Sequence, residues 1–412
     1  MDFSLLKRPG QVRNYWKNPL YKNSIYIALG RFFDVGIGFF FWTVAARFYS
    51  VTDVGLAVAL ISSLGLVMAF SRLGFDITLI RFMPSHDYNR VFNTCLWITI
   101  GAAIVASFVY LAAINFISPD IAFIQEYAVL FIIIAVVNSI VITTGNALLS
   151  LRKADLKFIQ NIIMGGRLLL LLPFVFLGSL GIFSSLGIAY LIASIYAFIV
   201  IARFITISFK IDYEFIRKTF RFSVQNYIAS LFQSIPTLII PIIIVNLISP
   251  EDAALYYIAF AVGNLVLIIP DAITTSFFVE GSHGINLRSG AIRTLGVTYA
   301  ILIPAVLFVV FFGNYLLGLF GTEYLAAFNL LRIIAISSLF VTIYNLFIPL
   351  QNIRLRVGGI VILNAIRFGL LIGLTFWLLT TLGVIGAGYA WLITYMILGI
   401  GISILIKKRG WI

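Results

Sequence analysis

The sequence predicts an all-α polytopic membrane protein, with about twelve transmembrane helices in two six-helix lobes. Three observations predict it. Of 412 residues, 62% are hydrophobic and only 10% charged, whereas a soluble domain carries about 25% charged residues. Apolar runs of the ~20 residues that cross a bilayer recur along the whole chain with short connections between them. Basic residues collect on alternate connections, as the cytoplasmic bias of Lys and Arg requires.

The N-terminal stretch, residues 1–23, is basic and polar, with Lys7, Arg8, Arg13, Lys17 and Lys22. It lacks the apolar core of a cleaved leader, so the first span is expected to act as the insertion signal. Expected spans are 24–46, 54–83, 92–113, 127–150, 158–177 and 186–209. After a linker at 210–220 come 222–248, 254–279, 294–315, 325–350, 357–380 and 386–406. The second run is longer than a bilayer needs, so its end over 72–83 is expected to tilt or to lie along the interface. The linker divides the chain into an N-terminal lobe, 1–209, and a C-terminal lobe, 221–412.

Charge placement supports this map. Of the 28 basic residues, Arg47 alone falls in an outer loop, and Arg31, Arg167, Arg332 and Arg367 fall within spans. The remainder, Lys157 among them, are assigned to inner segments. Asp53, Asp120, Glu126, Glu251, Asp252 and Glu323 edge the outer loops. The expectation is a multi-pass protein of the cytoplasmic membrane with both termini in the cytoplasm. The net charge of +13 is then topological, and no nucleic-acid partner is expected. Cys95, the one cysteine, lies in a span and builds neither a disulfide framework nor a thiolate metal site. His86 and His283 sit in short loops and read as solvated.

An internal repeat appears at an offset of 199. Ser50-Val51-Thr52-Asp53-Val54-Gly55-Leu56 aligns with Ser249-Pro250-Glu251-Asp252-Ala253-Ala254-Leu255, and Leu186-Gly187-Ile188-Ala189-Tyr190 with Ile385-Gly386-Ala387-Gly388-Tyr389. Six spans per half give both halves one orientation. That is a parallel repeat about an axis along the membrane normal, with a cavity expected where the halves meet. Coincidence of common loop residues is the competing explanation.

Ionisable groups inside a membrane are costly and therefore informative. Arg31 and Asp34 lie three apart in the first span, on one helical face, and can pair. Arg167 and Arg367 lie about halfway along the fifth and eleventh spans, one residue off the repeat offset. Arg332 lies in the tenth span, and Asp271 follows Pro270 near the end of the eighth. Four arginines against two aspartates make a net-positive interior, which suits an anionic substrate. Arginine stays charged and grips phosphate with a bidentate fork. Arg31, Arg167, Arg332 and Arg367 are thus the candidate substrate ligands, and Asp34 and Asp271 the candidates for ion coupling or charge balance. The other reading is structural: an intramembrane arginine also satisfies backbone carbonyls or snorkels to the surface. Asn138, Asn146, Asn161, Gln225, Asn226, Gln233, Asn264, Asn345 and Asn364 also lie within spans, where they either bridge helices or contact sugars. Pro173, Pro236, Pro241, Pro270, Pro304 and Pro349 mark kinks. There is no GxxxxGK[ST] loop, no HExxH and no Cys/His cluster. No outer loop is long enough for a glycan-transferring site. No catalytic residue, metal or bound cofactor is expected, which leaves an H+ or Na+ gradient as a possible energy source.

The run Ala46-Arg47-Phe48-Tyr49-Ser50-Val51-Thr52-Asp53-Val54-Gly55-Leu56, followed by Arg72-Leu73-Gly74-Phe75 and Arg81-Phe82, resembles the first hairpin of polysaccharide exporters of the O-antigen flippase (Wzx) type. These belong to the multidrug/oligosaccharidyl-lipid/polysaccharide (MOP) superfamily. Leu149-Ser150-Leu151-Arg152-Lys153-Ala154 and Thr381-Leu382-Gly383-Val384-Ile385-Gly386-Ala387-Gly388 resemble its features before span five and at span twelve. The resemblance implies two six-helix lobes of MATE-like fold that alternate between inward- and outward-open states. It implies a polyprenyl diphosphate-linked oligosaccharide as substrate, held by cationic residues. Its partners would be the lipid bilayer and other glycan-assembly membrane proteins. Asp34 resembles in placement the first-span aspartate of the multidrug exporters, which keeps cation-coupled efflux as the alternative. A glycan polymerase or ligase is the third reading.

Overall fold

The computed structural model describes residues 19–282, 286–354 and 357–408. Lys7, Arg8, Arg13, Lys17, His283, Arg356 and Arg409 lie outside them. Among the described residues 12 helical segments are long and apolar enough to cross a membrane, one of them, Ala154–Leu177, made of two short α-helices and the 3-10 segment Leu172–Leu177. The first part of the chain forms α1 (Pro19–Phe48), α2 (Val51–Ser71), α3 (Phe75–Phe82), α4 (Tyr88–Ile117), α5 (Ala128–Ser150), α6 (Ala154–Gly165), α7 (Arg167–Leu171) and α8 (Ser179–Ile201). The remainder forms α9 (Tyr213–Leu247), α10 (Pro250–Ser282), α11 (Leu287–Gly318), α12 (Phe328–Ile353), α13 (Val357–Leu382) and α14 (Ile385–Lys408). The long helices are apolar around most of their surface, as segments dissolved in lipid must be, whereas the short α3 and α6 each keep a polar face. Phe32, Phe116 and Phe176 are each more than three-quarters exposed. Buried hydroxyls bond their own helix, as Ser63 does to the Ala59 carbonyl (2.7 Å) and Thr144 to that of Ile140 (2.7 Å).

The elements depart from the expected spans at several places; the fifth span divides at Gly166, and the ninth starts at Leu287 rather than at 294. The end of the second run, expected to tilt or to lie along the interface, is set off by a break: α2 ends at Ser71, and Leu73 (φ 50°) and Gly74 (φ 76°) turn the chain into the short α3. Gly74 needs its lack of a side chain twice, for its left-handed backbone and because a β-carbon there would overlap the Ser223 carbonyl. The sixth span starts seven residues earlier than expected, at Ser179 after the one-residue turn at Gly178. The chain leaves the helix after Ile201 because α4 offers better partners. The backbone N–H groups of Thr206 and Ser208 donate to the Asn89 and Asn93 side chains (2.7 and 2.9 Å), and Trp97 Nε1 donates to the Ser208 carbonyl (2.8 Å). The segment expected as a linker, 210–220, is helical from Tyr213 onward.

The described chain gathers into two compact units. The first comprises α1 as far as Phe41, Val67–Ile114 and Ala122–Ser230; the second comprises Trp42–Leu66, Asn115–Ile121 and Leu231 onward. The core of the first unit joins Phe75, Leu79 and Met83 of α3 and the turn after it to Phe92, Cys95 and Leu96 of α4, Leu148 of α5 and Ile201 of α8. The core of the second unit centres on α10, α12 and α14. There Tyr256, Phe260, Trp391 and Tyr395 stack in series, and Trp391 Nε1 donates to the Tyr256 hydroxyl (3.1 Å).

Within the second unit the sequence repeat becomes a repeat of bonds. Ser50 and Asp53 close the N-terminus of α2: the Asp53 N–H donates to Ser50 Oγ (3.1 Å) and that hydroxyl donates to the Asp53 carboxylate (2.6 Å). Ser249 and Asp252 do the same for α10, at 3.0 and 2.9 Å. The paired Ser and Asp satisfy an orphan N–H and place a negative charge on the helix N-terminus. The two caps meet: Thr52 Oγ1 donates to the Glu251 carboxylate, a residue and its own repeat equivalent 199 positions apart. Gly55 lies so close to α10 that a β-carbon there would overlap the Pro250 carbonyl.

The last residues of the repeats' first helices are also exchanged. Arg47 donates through Nη2 and Nε to the Gly318 and Leu319 carbonyls that end α11 (2.9 and 2.8 Å). Its repeat equivalent, Asn246, donates to the Ile117 carbonyl that ends α4 and accepts from Ser118 Oγ (2.9 Å). Each half therefore caps the third span of the other. This accounts for the exceptional position of Arg47 among the basic residues: it serves a helix C-terminus, where a cation is favoured.

Gly55→Ala should lower thermal stability in detergent by on the order of 2 kcal/mol, the usual cost of overpacking against rigid neighbours. Gly101→Ala, where nothing lies within 4 Å of the new carbon, should leave the melting temperature unchanged. Equal melting temperatures for the two variants would refute the close approach at Pro250.

Candidate functional site

In the first unit α1 and the α6–α7 segment pack side by side in parallel register. Tyr26 and Phe33 meet the Phe158 ring, the space at Gly165 is closed by Phe33 and Ile37, and Phe41 lies under the Arg167 guanidinium at 5.2 Å. This register sets Asp34 of α1 among Lys157, Asn161 and Arg167 of the α6–α7 segment. Asn161, only 7% exposed, donates its amide N–H to the Asp34 carboxylate (3.0 Å). Lys157 and Arg167 are the cations whose fields act on Asp34. Arg31 is not that carboxylate's partner. Both residues are exposed, and the expected Arg31–Asp34 pair does not form; Asp34 instead accepts from Asn161, while Gly30, Phe33 and Ile37 meet the α6 segment.

Lys157 was expected in an inner segment; it is instead half-buried in α6 and donates to Gln160 Oε1 (3.3 Å). Gln160 is fully buried and donates onward to Thr144 Oγ1 and to the Val141 carbonyl, both at 3.1 Å. Tyr190 on α8 feels Arg167, Asp34 and Arg72 together. The signal that would have found this cluster is the spacing of Lys157, Gln160, Asn161 and Arg167. At offsets of 3, 4 and 10 residues they share one helical face.

Arg167 opens α7, just after the break at Gly166. Its Nε is buried without a hydrogen-bond partner, and no hydrogen bond of its guanidinium occurs among the described residues. The ring of Phe41 is its one close aromatic neighbour, a contact that orients a guanidinium without occupying its N–H groups. Two cations face one carboxylate here, so the cluster carries an excess positive charge and an unused five-donor fork.

The candidate arginines of the second unit are engaged. Arg367, 6% exposed, donates through Nη2 to the Phe232 and Gln233 carbonyls (3.2 and 2.8 Å) and through Nη1 to the Tyr395 hydroxyl (3.2 Å). The cause is Pro236 of α9. A proline has no N–H for the carbonyl four residues earlier, and that carbonyl belongs to Phe232. Arg367 replaces the missing donor. Tyr344 lies beside the guanidinium (5.6 Å) and donates to Asn364 Oδ1. Arg332 stacks on Phe328 (3.9 Å) and donates to the Val310 carbonyl (2.9 Å). These two expected substrate ligands thus bind backbone. Asp271 is exposed in the second unit, and its backbone carbonyl accepts from Thr275 (2.8 Å) beyond the kink at Pro270.

Arg367→Ala should destabilise the protein by about 1–3 kcal/mol, because a buried carbonyl loses its donor. Adding Pro236→Ala, which restores a helical N–H, should recover at least half of that loss of melting temperature. A double variant no more stable than Arg367→Ala alone would show that the arginine does not serve the kink.

A family model described as polysaccharide biosynthesis protein matches residues 20–278, more than half of the chain. No curated protein matches the sequence. Among solved structures, an inward-facing multidrug resistance MATE family transporter of the MOP superfamily superposes with a TM-score of 0.74 at 14% identity, covering 92% of this chain and 94% of that one. The lipid II flippase MurJ in an inward closed conformation gives 0.72 at 15% identity, over 93% and 87%. A MOP superfamily transporter from Pyrococcus furiosus, described by a binding pocket of reverse polarity, gives 0.61 at 15%, over 95% and 93%. Likeness at such identities establishes the fold, and the family match establishes the lineage. The chain belongs to the polysaccharide biosynthesis protein family and has the fold of the MOP-superfamily transporters.

Proposed function

We propose that this protein is a flippase that moves a polyprenyl diphosphate-linked oligosaccharide across the cytoplasmic membrane by alternating access, with the two sequence repeats as its lobes. The observation that carries the reading is the unengaged Arg167 guanidinium, set in a cluster with more cation than carboxylate. A buried guanidinium N–H without an acceptor, as Nε is here, costs free energy unless a ligand supplies one. A diphosphate is the anion that fits a bidentate fork at membrane depth. Lys157, about 15 Å along the helix from Arg167 at 1.5 Å per residue, adds a second positive charge on the same face.

Asp34 favours a coupling role in the same cluster. It is held by the neutral Asn161 amide, a bond that survives whether or not a proton or Na+ neutralises the carboxylate. The same residue supports the second reading, cation-coupled export of drugs. Excess positive charge beside it weighs against cationic drugs and for an anionic cargo.

Reconstituted into proteoliposomes with a fluorescent lipid diphosphate oligosaccharide, wild type should flip the probe. Arg167→Ala should slow flipping by at least roughly tenfold, the loss expected of one charge-assisted bidentate contact. Asp34→Asn should keep substrate binding and lose the response to an imposed H+ or Na+ gradient. Unchanged flipping in folded Arg167→Ala would remove the anion site. Failure of wild type on every carrier, with protection of an efflux-deficient host against drugs, would promote the exporter reading.

A further inference from the structure

An apolar groove of about 550 Å³ opens on the second unit between α12, α13 and α14. Helices α13 and α14 meet tightly at their hairpin, where a β-carbon at Gly386 would overlap the Leu378 carbonyl. They leave open space toward the other end, where nothing lies within 4 Å of a β-carbon built at Gly401. Gly359 on α13 and Gly401 on α14 keep the walls low; Ile362, Ile366 and Leu405 present exposed aliphatic surface along them. From Ile397 to Leu405 the groove runs about 12 Å along α14.

The groove is amphiphilic along its length. Its floor near the C-terminus of α12 is Gln351, only 3% exposed. Its amide has no hydrogen bond among the described residues, and its Oε1 lies 3.6 Å from the β-carbon position of Gly359. Two and three residues beyond Leu405, α14 closes with Lys407 and Lys408, both exposed. No acidic residue occurs in the sequence after Glu323. Greasy walls, an unpaired amide at the mouth and two uncompensated lysines above it match one chemistry: a hydrocarbon chain, a polar linkage and a negative headgroup.

We propose that this groove binds one acyl chain of an anionic diacyl phospholipid, with the ester region at Gln351 and the headgroup at Lys407 and Lys408. The Gln351 amide selects the phospholipid over a polyprenyl carrier, because an acyl ester carbonyl can accept from it and an isoprenoid chain carries no such acceptor. The assignment is independent of which substrate the protein moves.

The test is photolabelling in proteoliposomes with phosphatidylglycerol or phosphatidylcholine bearing an acyl diazirine, followed by peptide mapping. Phosphatidylglycerol should label peptides spanning 358–367 and 393–408, with roughly tenfold preference over phosphatidylcholine, as two surface lysines confer. Gly401→Trp should abolish that labelling, and Lys407→Gln with Lys408→Gln should reduce it to the phosphatidylcholine level. Equal labelling by the two lipids in wild type overturns the proposal. So does labelling that persists in Gly401→Trp, or displacement of the label by substoichiometric undecaprenyl phosphate, which would give the groove to a polyprenyl chain. If Gly401→Trp fails to fold, Gly359→Leu takes its place, and the wild-type comparison of the two lipids stands alone.

Discussion

A backbone carbonyl inside a bilayer has no water to accept from, so every break in a helix must find a donor within the protein. In this chain arginine is that donor at two places: Arg47 closes the end of α11, and Arg367 supplies what Pro236 withholds. Arg332 reaches a carbonyl within α11, that of Val310. A guanidinium suits this work because it never deprotonates and spreads several N–H groups over a plane. The charge it brings is tolerated where carbonyl dipoles and aromatic faces surround it, as Phe328 and Tyr344 do. Arg167 is the exception, with an aromatic face and no carbonyl, and it gains its interest from the rule it breaks.

The same constraint shapes the repeat. Two helix N-termini closed by Ser–Asp pairs meet through Thr52 and Glu251, and two helix C-termini are closed by residues borrowed from the other half. Polar groups at the ends of apolar helices thus do the joining that side-chain hydrophobicity cannot do in lipid, where apolar surface is equally content against acyl chains. Gly55 admits Pro250 so closely that this junction depends on one absent methyl group. Ala254, the repeat equivalent of Gly55, already carries a side chain, so the halves are similar without being interchangeable.

The spans were legible because lipid imposes length and apolarity directly on sequence, and the charge pattern repeats that information independently. What was illegible depended on local partners. The end of span six could not be placed while Asn89, Asn93 and Trp97, more than a hundred residues away in sequence, were unknown as acceptors and donors for 206–208. Lys157 looked like an inner-loop charge because it stands beside Arg152 and Lys153. Only the packing of α6 on α1 makes it part of a membrane cluster. The Arg31–Asp34 pair was a sound local inference from spacing. It failed because Asn161 on another helix was the better-placed donor, which no spacing rule within α1 reveals.

The repeat itself explains why one arginine is engaged and its counterpart is not. Subtracting the offset of 199 carries Phe232, Gln233 and Pro236 onto Phe33, Asp34 and Ile37. In α9 the proline frees a carbonyl and the neighbouring side chain is a neutral glutamine, so the arginine binds backbone. In α1 an isoleucine keeps the helical ladder whole and the neighbouring side chain is a carboxylate. Arg167 therefore meets charge and an aromatic face rather than a carbonyl. Two substitutions, Pro for Ile and Gln for Asp, separate the arginine that is bound to backbone from the one that is not. Under the proposed function this asymmetry leaves one half to hold its shape, while the other carries a charge balance that a cargo anion or a coupling cation would shift.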